Sequence, residues 1–205
     1  MLYEAQFRNP AGAGKLIQAI RDMDLPELRI MEICGTHTMS IAKAGLRQIL
    51  PPHIHLISGP GCPVCVTPSG VMDEVLRISQ LPNVTITTYG DLLRVPGSVP
   101  GDNLQRRSAQ GADVRMVYSL MDSLDMAEQE PDREFIFLGV GFETTAPGTA
   151  IAVQEAKARG LKNFSLLSLL KRTEPAMRAI IESDEFNVSG FLGPDYVAIL
   201  LGEEG

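Results

Sequence analysis

All three cysteines of the chain lie between positions 34 and 65, in two short clusters. The first reads Cys34-Gly35-Thr36-His37-Thr38-Met39, and the second Gly59-Pro60-Gly61-Cys62-Pro63-Val64-Cys65-Val66-Thr67-Pro68. Thiols are soft ligands and redox centres, so the two clusters point to a metal, a redox step or both. Cys34 and His37, three residues apart around a glycine, can face one metal ion if the turn bends back. A thiolate at a helix start is further stabilised by the helix dipole and the free N–H groups there. The competing reading is a buried cysteine acting as a small hydrophobe, with His37 capping a helix.

Cys62 and Cys65 form a Cys-x-x-Cys, a spacing that activates a thiol and permits a local disulfide. As a dithiol/disulfide switch they would supply electrons or gate access to the Cys34 site. Alternatives are a structural pair, or half of a zinc knuckle completed by Cys34 with His37, His53 or His55. His53 and His55 sit at i and i+2 on one face of a strand start and are left outside the site. Farther on, Tyr89 to Ser98 is rich in turn formers and carries Asp91 and Arg94. Asp91 could accept a hydrogen bond from His37, and Arg94 could hold an anion. A local surface ion pair is the plainer reading. Glu143, followed by Thr144 and Thr145, reads either as a general base or as a cap on the next helix.

The elements that must position these residues alternate along the chain. Strands are predicted over 28–33, 54–58, 84–88, 114–118, 135–138, 164–170 and 188–192. Helices are predicted over 38–50, 68–80, 103–109, 120–128, up to Arg159, and from about Pro175. Thr67 is the expected N-cap of the second helix, with Pro68 in its first position. This order predicts an α/β protein with a parallel sheet, helices on both faces, and the start of a second α/β unit. Residues 1–160 would form the α/β domain carrying the cysteine loops, and 161–205 the beginning of the second unit. In a parallel sheet every strand ends on the same edge, so the candidate residues are expected along one rim.

Composition narrows the function classes. A net charge of −7 with pI near 5.0 argues against a nucleic-acid surface. The hydrophobic share is 44%, yet no apolar run approaches a membrane span, which predicts a soluble protein with no membrane partner. Residues 1–10 lack the apolar core of a signal peptide, so a cytoplasmic, reducing location is expected for the three thiols.

Together, the two cysteine clusters, Gly90-Asp91-Leu92-Leu93-Arg94-Val95-Pro96-Gly97-Ser98 and Gly141-Phe142-Glu143-Thr144-Thr145-Ala146-Pro147 resemble the [NiFe]-hydrogenase maturation protein family HypD. The four motifs occur in the family's order across residues 30–150. The resemblance implies an assembly scaffold that, with the small chaperone HypC, holds iron while it gains cyanide and carbon monoxide. Cyanide would arrive through HypE, and the Fe(CN)2CO unit would pass to the hydrogenase. A soft thiolate at Cys34 suits iron carrying such π-acceptor ligands. On this reading Cys34 and His37 face the metal, Cys62 and Cys65 are redox-active, Asp91 and Glu143 assist, and Arg94 and Thr144 contact the ligands. Two other functions stand beside it: a stand-alone thiol–disulfide oxidoreductase, and a non-catalytic binding module.

The family also implies a [4Fe–4S] cluster held by C-terminal cysteines, whereas this sequence has no cysteine after Cys65. It departs again at Leu170-Lys171-Arg172-Thr173-Glu174-Pro175, where the family shows His-Lys and then Pro-Pro, and at Pro194-Asp195-Tyr196, where it shows Pro-Gly-His. A truncated member and a relative without the electron-transfer half are both consistent with this pattern.

Overall fold

The computed structural model describes residues 9–194 together with Val197, Ile199 and Gly202. Its elements, in chain order, are α1 (Pro10–Asp22), β1 (Leu28–Glu32), α2 (Gly35–Lys43), α3 (Leu46–Ile49), β2 (Ile54–Ser58), α4 (Ser69–Ile78) and β3 (Val84–Thr88). After a 3₁₀ turn at Leu92–Arg94 come α5 (Leu104–Ala109), β4 (Asp113–Met116), α6 (Leu120–Gln129) and β5 (Glu134–Gly141). Then follow α7 (Ala146–Ala158), β6 (Phe164–Leu170), α8 (Thr173–Ile181) and β7 (Gly190–Leu192).

The parallel α/β class holds, but the strands divide between two sheets. One has the order β2-β1-β7 and the other β4-β3-β5-β6, with every pair parallel. The single rim expected from the sequence is therefore two rims. Among the described residues two compact units result: 9–61 with 178–194, and 62–177 with 197, 199 and 202.

In the first unit the central strand is β1, with Glu32 in register with Ser58 of β2 and Leu192 of β7. The helix predicted over 38–50 is two helices, α2 and α3. Gly45 separates them with a φ of +63°, a left-handed conformation that a glycine adopts without steric cost. The sequence reading passed over α1. Its start is built from Asn9, whose Oδ1 accepts from the N–H groups of Ala11 and Gly12, with Pro10 in the first turn.

In the second unit β5 is buried along almost its whole length and alternates its side chains between two cores. Leu138 faces Met72, Leu76, Ile86, Leu92 and Leu104, while Phe137 faces Leu120, Leu124, Ala152 and Ala156. This period of two, with a helical layer on each face, is what a buried parallel sheet requires. At the strand N-termini Asp113 accepts from Thr85 Oγ1 at 2.8 Å and Arg133 Nη2 at 2.8 Å, closing the edge away from the candidate residues. Among the described residues no helix is long and apolar enough to cross a membrane.

Gly61 generates a stability prediction. A Cβ placed there would lie 2.7 Å from the Cys34 nitrogen and 2.8 Å from its Cα, both backbone atoms that cannot swing aside. Gly61→Ala should destabilise the first unit by about 1–3 kcal/mol, the usual cost of overpacking, read from urea denaturation. Wild-type stability in that variant would show that the two backbones are not in contact.

Candidate functional site

Cys34 leaves β1 in extended conformation and serves as the N-cap of α2. Its carbonyl accepts from the N–H groups of His37 at 2.9 Å and Thr38 at 3.2 Å. Its half-buried thiol makes no capping hydrogen bond, so helix initiation here is a backbone task and leaves the sulfur free for chemistry. The His37 ring lines an apolar groove of about 470 Å³ with Ile41, Leu46, Phe191 and Leu192. The structure thus brings Cys34 and His37 onto the first turn of one helix, which starts at Gly35 rather than at Thr38.

The wall beside Cys34 is glycine backbone. The Gly59 N–H donates to the Glu32 carbonyl at 2.7 Å, and the Gly61 N–H turns back to the Gly59 carbonyl at 2.8 Å. A Cβ on Gly59 would lie 2.7 Å from Met31 Cγ and 2.9 Å from the Glu32 carbonyl oxygen. Close approach of two chains is the physical reason for glycine on both sides of Pro60.

Beneath this wall lies a residue that the sequence reading missed. Glu32 is 1% exposed, and its carboxylate accepts from Thr38 Oγ1 at 2.6 Å and Ser58 Oγ at 2.8 Å. Arg47 Nη2 approaches it at 3.4 Å and donates to Ser58 Oγ at 3.1 Å. A buried carboxylate is tolerated only with such partners. No local pattern announces this group, because its partners stand six, fifteen and twenty-six residues away.

The remaining candidates belong to the second unit. The Cys65 N–H donates to the Cys62 carbonyl at 3.1 Å, which closes the Cys-x-x-Cys into a tight turn. Val64, between the thiols, packs onto the core of Met72, Leu76 and Leu92, anchoring the turn while Cys65 stays exposed. Both cysteines are free thiols. A hydrogen bond with the Cys62 side chain pushes the Cys65 thiol above its ordinary value, and partial burial and the charge of Cys62 add to this. Thr67 is not the N-cap of α4: its hydroxyl donates to the Pro63 carbonyl at 2.9 Å, and Pro68 takes the cap position. The turn containing the thiols captures the hydroxyl before the helix can.

Asp91 and Arg94 bracket the 3₁₀ turn and are both exposed, held by Leu92 and Leu93, which pack on the same core as Val64. The far end of their loop is tied to α4. Asp73 accepts from the Ser98 N–H at 2.8 Å and from its hydroxyl, and these bonds hold the Asp73 carboxyl below its ordinary range. Glu143 follows β5, whose partner β3 runs parallel to it, so Glu143 and Asp91 come from the same edge of one sheet.

Glu143 is a cap, though not for the helix that follows it. Its carboxylate accepts from the Thr173 N–H at 2.6 Å and the Thr173 hydroxyl at 2.8 Å, at the start of α8. Burial raises its pKa, but the hydrogen bonds from Thr173 and from its own N–H, with the charge of Arg172, outweigh that and hold it below the usual value. Thr144 is exposed. Among the described residues no three His, Cys, Asp or Glu side chains converge as a metal-holding group, so the four ligands of a zinc knuckle are not assembled there.

Fold and site define a parallel α/β protein that carries its thiols on loops following strands. The family model described as the hydrogenase formation hypA family, HypD, matches residues 12–205. The chain is 42% identical over 212 residues to the hydrogenase maturation factor HypD of Escherichia coli (strain K12), covering 100% of this chain and 56% of that protein. It is 43% identical over 209 residues to the HypD of Rhodobacter capsulatus, covering 98% of this chain and 55% of that protein. The hydrogenase maturation factor HypD2 of Bradyrhizobium diazoefficiens is 42% identical over 211 residues, covering 98% of this chain and 55% of its own length. The chain belongs to the HypD family. It spans about half the length of the curated relatives it matches.

The Glu143 cap carries a pH signature. Because its folded pKa is lowered, its stabilising contribution is complete above the ordinary glutamate range and is lost as the pH falls through the lower folded value. Glu143→Gln should lower stability at neutral pH by about 1 kcal/mol, the typical worth of a cap. It should also flatten the acid limb of stability against pH, measured by denaturation at a series of pH values. An unchanged acid limb would remove Glu143 from the list of groups that set it.

Proposed function

We propose that the chain acts in [NiFe]-hydrogenase maturation as an assembly scaffold for iron on its way to becoming an Fe(CN)2CO unit. Iron is cargo in this reading rather than a resident cofactor. The observation that carries it is the free, half-buried thiol of Cys34 at the start of α2, with the His37 ring on the same turn. A thiolate and an imidazole leave most of the coordination sphere for diatomic ligands and for a HypC-type chaperone. A HypE-type protein would donate cyanide, and the exposed Arg94, Thr144 and Asp91 of the second unit offer polar groups that suit such a partner or an anion. Glu143 enters as the fastening of α8 and, as an ionised carboxylate, is unsuited to giving up a proton.

Cys62 and Cys65 serve as the redox pair. Their oxidation to a disulfide releases two electrons and two protons, and the backbone hydrogen bond between the two residues supports a turn tight enough for that bond. The three cysteines of these 205 residues cannot supply the four thiolates of a [4Fe–4S] cluster. The closed Cys-x-x-Cys turn also favours a second reading, a thiol–disulfide oxidoreductase that uses this pair without iron.

Anaerobic co-expression with a HypC-type chaperone, followed by iron analysis and infrared spectroscopy, separates the two. Cyanide and carbon monoxide stretching bands are expected from the complex; a complex without iron would leave the oxidoreductase reading. Cys34→Ala should abolish iron retention while circular dichroism stays unchanged, and full iron content in that variant would remove Cys34 from the metal. Mild oxidation should make Cys62 and Cys65 resistant to alkylation, with a mass loss of two hydrogens. Two freely alkylated thiols after oxidation would rule out the switch.

A further inference from the structure

We infer that Glu32 is a positioning residue for Cys34, acting through Thr38 on one side of its backbone and Ser58 on the other. The inference deepens the iron-scaffold reading, because it names what holds the proposed iron-binding thiol in place. It starts from a carboxylate that is 1% exposed at the end of the central strand, two residues before Cys34. Removing a carboxylate from water is costly, and here the hydrogen bonds that offset the cost come from the elements surrounding Cys34. Thr38 Oγ1, at 2.6 Å, belongs to the first turn of the helix that Cys34 caps. Ser58 Oγ, at 2.8 Å, ends the strand that leads into Gly59-Pro60-Gly61, whose backbone is packed against Cys34. Arg47 reaches both Glu32 and Ser58 from α3.

One side chain thus ties together the helix start and the strand end that flank the Cys34 backbone. The carboxylate is suited to this because it has several lone pairs and accepts from separate donors at once. A leucine of similar size would fill the space, but it would leave the Thr38 and Ser58 hydroxyls without an acceptor. The helix start and the strand end would then be joined by packing alone.

The test separates positioning from stability. Cys34 alkylation is followed at one fixed pH by peptide-resolved mass spectrometry, which distinguishes its adduct from those of Cys62 and Cys65. Thr38→Val removes the hydroxyl while keeping the shape, and Thr38→Ser keeps it. Loss of a hydrogen bond to a charged group shifts a local opening equilibrium by about tenfold. Thr38→Val should therefore speed alkylation of the half-buried Cys34 by about that factor, with Cys65 alkylation unchanged. Thr38→Ser should restore the wild-type rate. Ser58→Ala provides the same comparison from the strand end, should Thr38→Val fail to fold. Equal Cys34 rates in folded wild-type, Thr38→Val and Ser58→Ala proteins would overturn the inference, even with a lowered melting temperature. The rate reads the setting of Cys34 whether or not iron binds there. A failed iron reading would show as unchanged metal content in Cys34→Ala, a distinct result.

Discussion

In the first unit, everything near Cys34 depends on bringing two stretches of backbone closer than side chains allow. The chain leaving β1 and the chain leaving β2 run side by side, and Gly59 and Gly61 let them touch. Glu32 lies below that contact and gathers Thr38, Ser58 and Arg47 around one carboxylate. The arrangement is polar where a strand end would ordinarily be apolar. Burial makes each of its hydrogen bonds strong, and makes the loss of any one costly.

The second unit solves a different problem, holding reactive loops on a sheet without burying their polar groups. It uses single apolar anchors. Val64 pins the thiol turn and Leu92 pins the loop of Asp91 and Arg94, and both reach the same core as Met72 and Leu76. Asp73 adds a polar fastening at Ser98, and Gly97 makes room for it by packing against Leu76. The loops are therefore fixed at their bases, while Cys65, Asp91 and Arg94 stay exposed. Such a division suits residues that must meet a partner or a ligand.

Membership of the HypD family agrees with this economy. The matched residues 12–205 include both cysteine clusters and the loops of Asp91 and Glu143. The relatives are nearly twice as long, so the activities proposed for the whole protein rest on the family and on the residues at the strand ends.

Much of the molecule was legible in the sequence, because the signals are local. Apolar periodicity and turn residues marked the alternation of strands and helices, and the types and spacing of Cys34, His37, Cys62 and Cys65 marked them as candidates for chemistry. The capping roles of Asn103 and Ser119 were equally local, each a side chain accepting from an N–H within three residues. What only the tertiary structure decided depends on partners far apart in the chain. The first sheet is completed by β7 returning to pair with β1, with a hydrogen bond across 160 residues between Arg29 and Ser189. Glu143 read either as a general base or as a cap for the next helix, and folding makes it the cap of a helix that starts thirty residues later. Glu32 carries no local sign of its setting, and folding places it out of water among three donors. The reason is the same in each case: a hydrogen-bonding group declares its chemistry in the sequence, but its partner is chosen by which strand ends the sheets bring together.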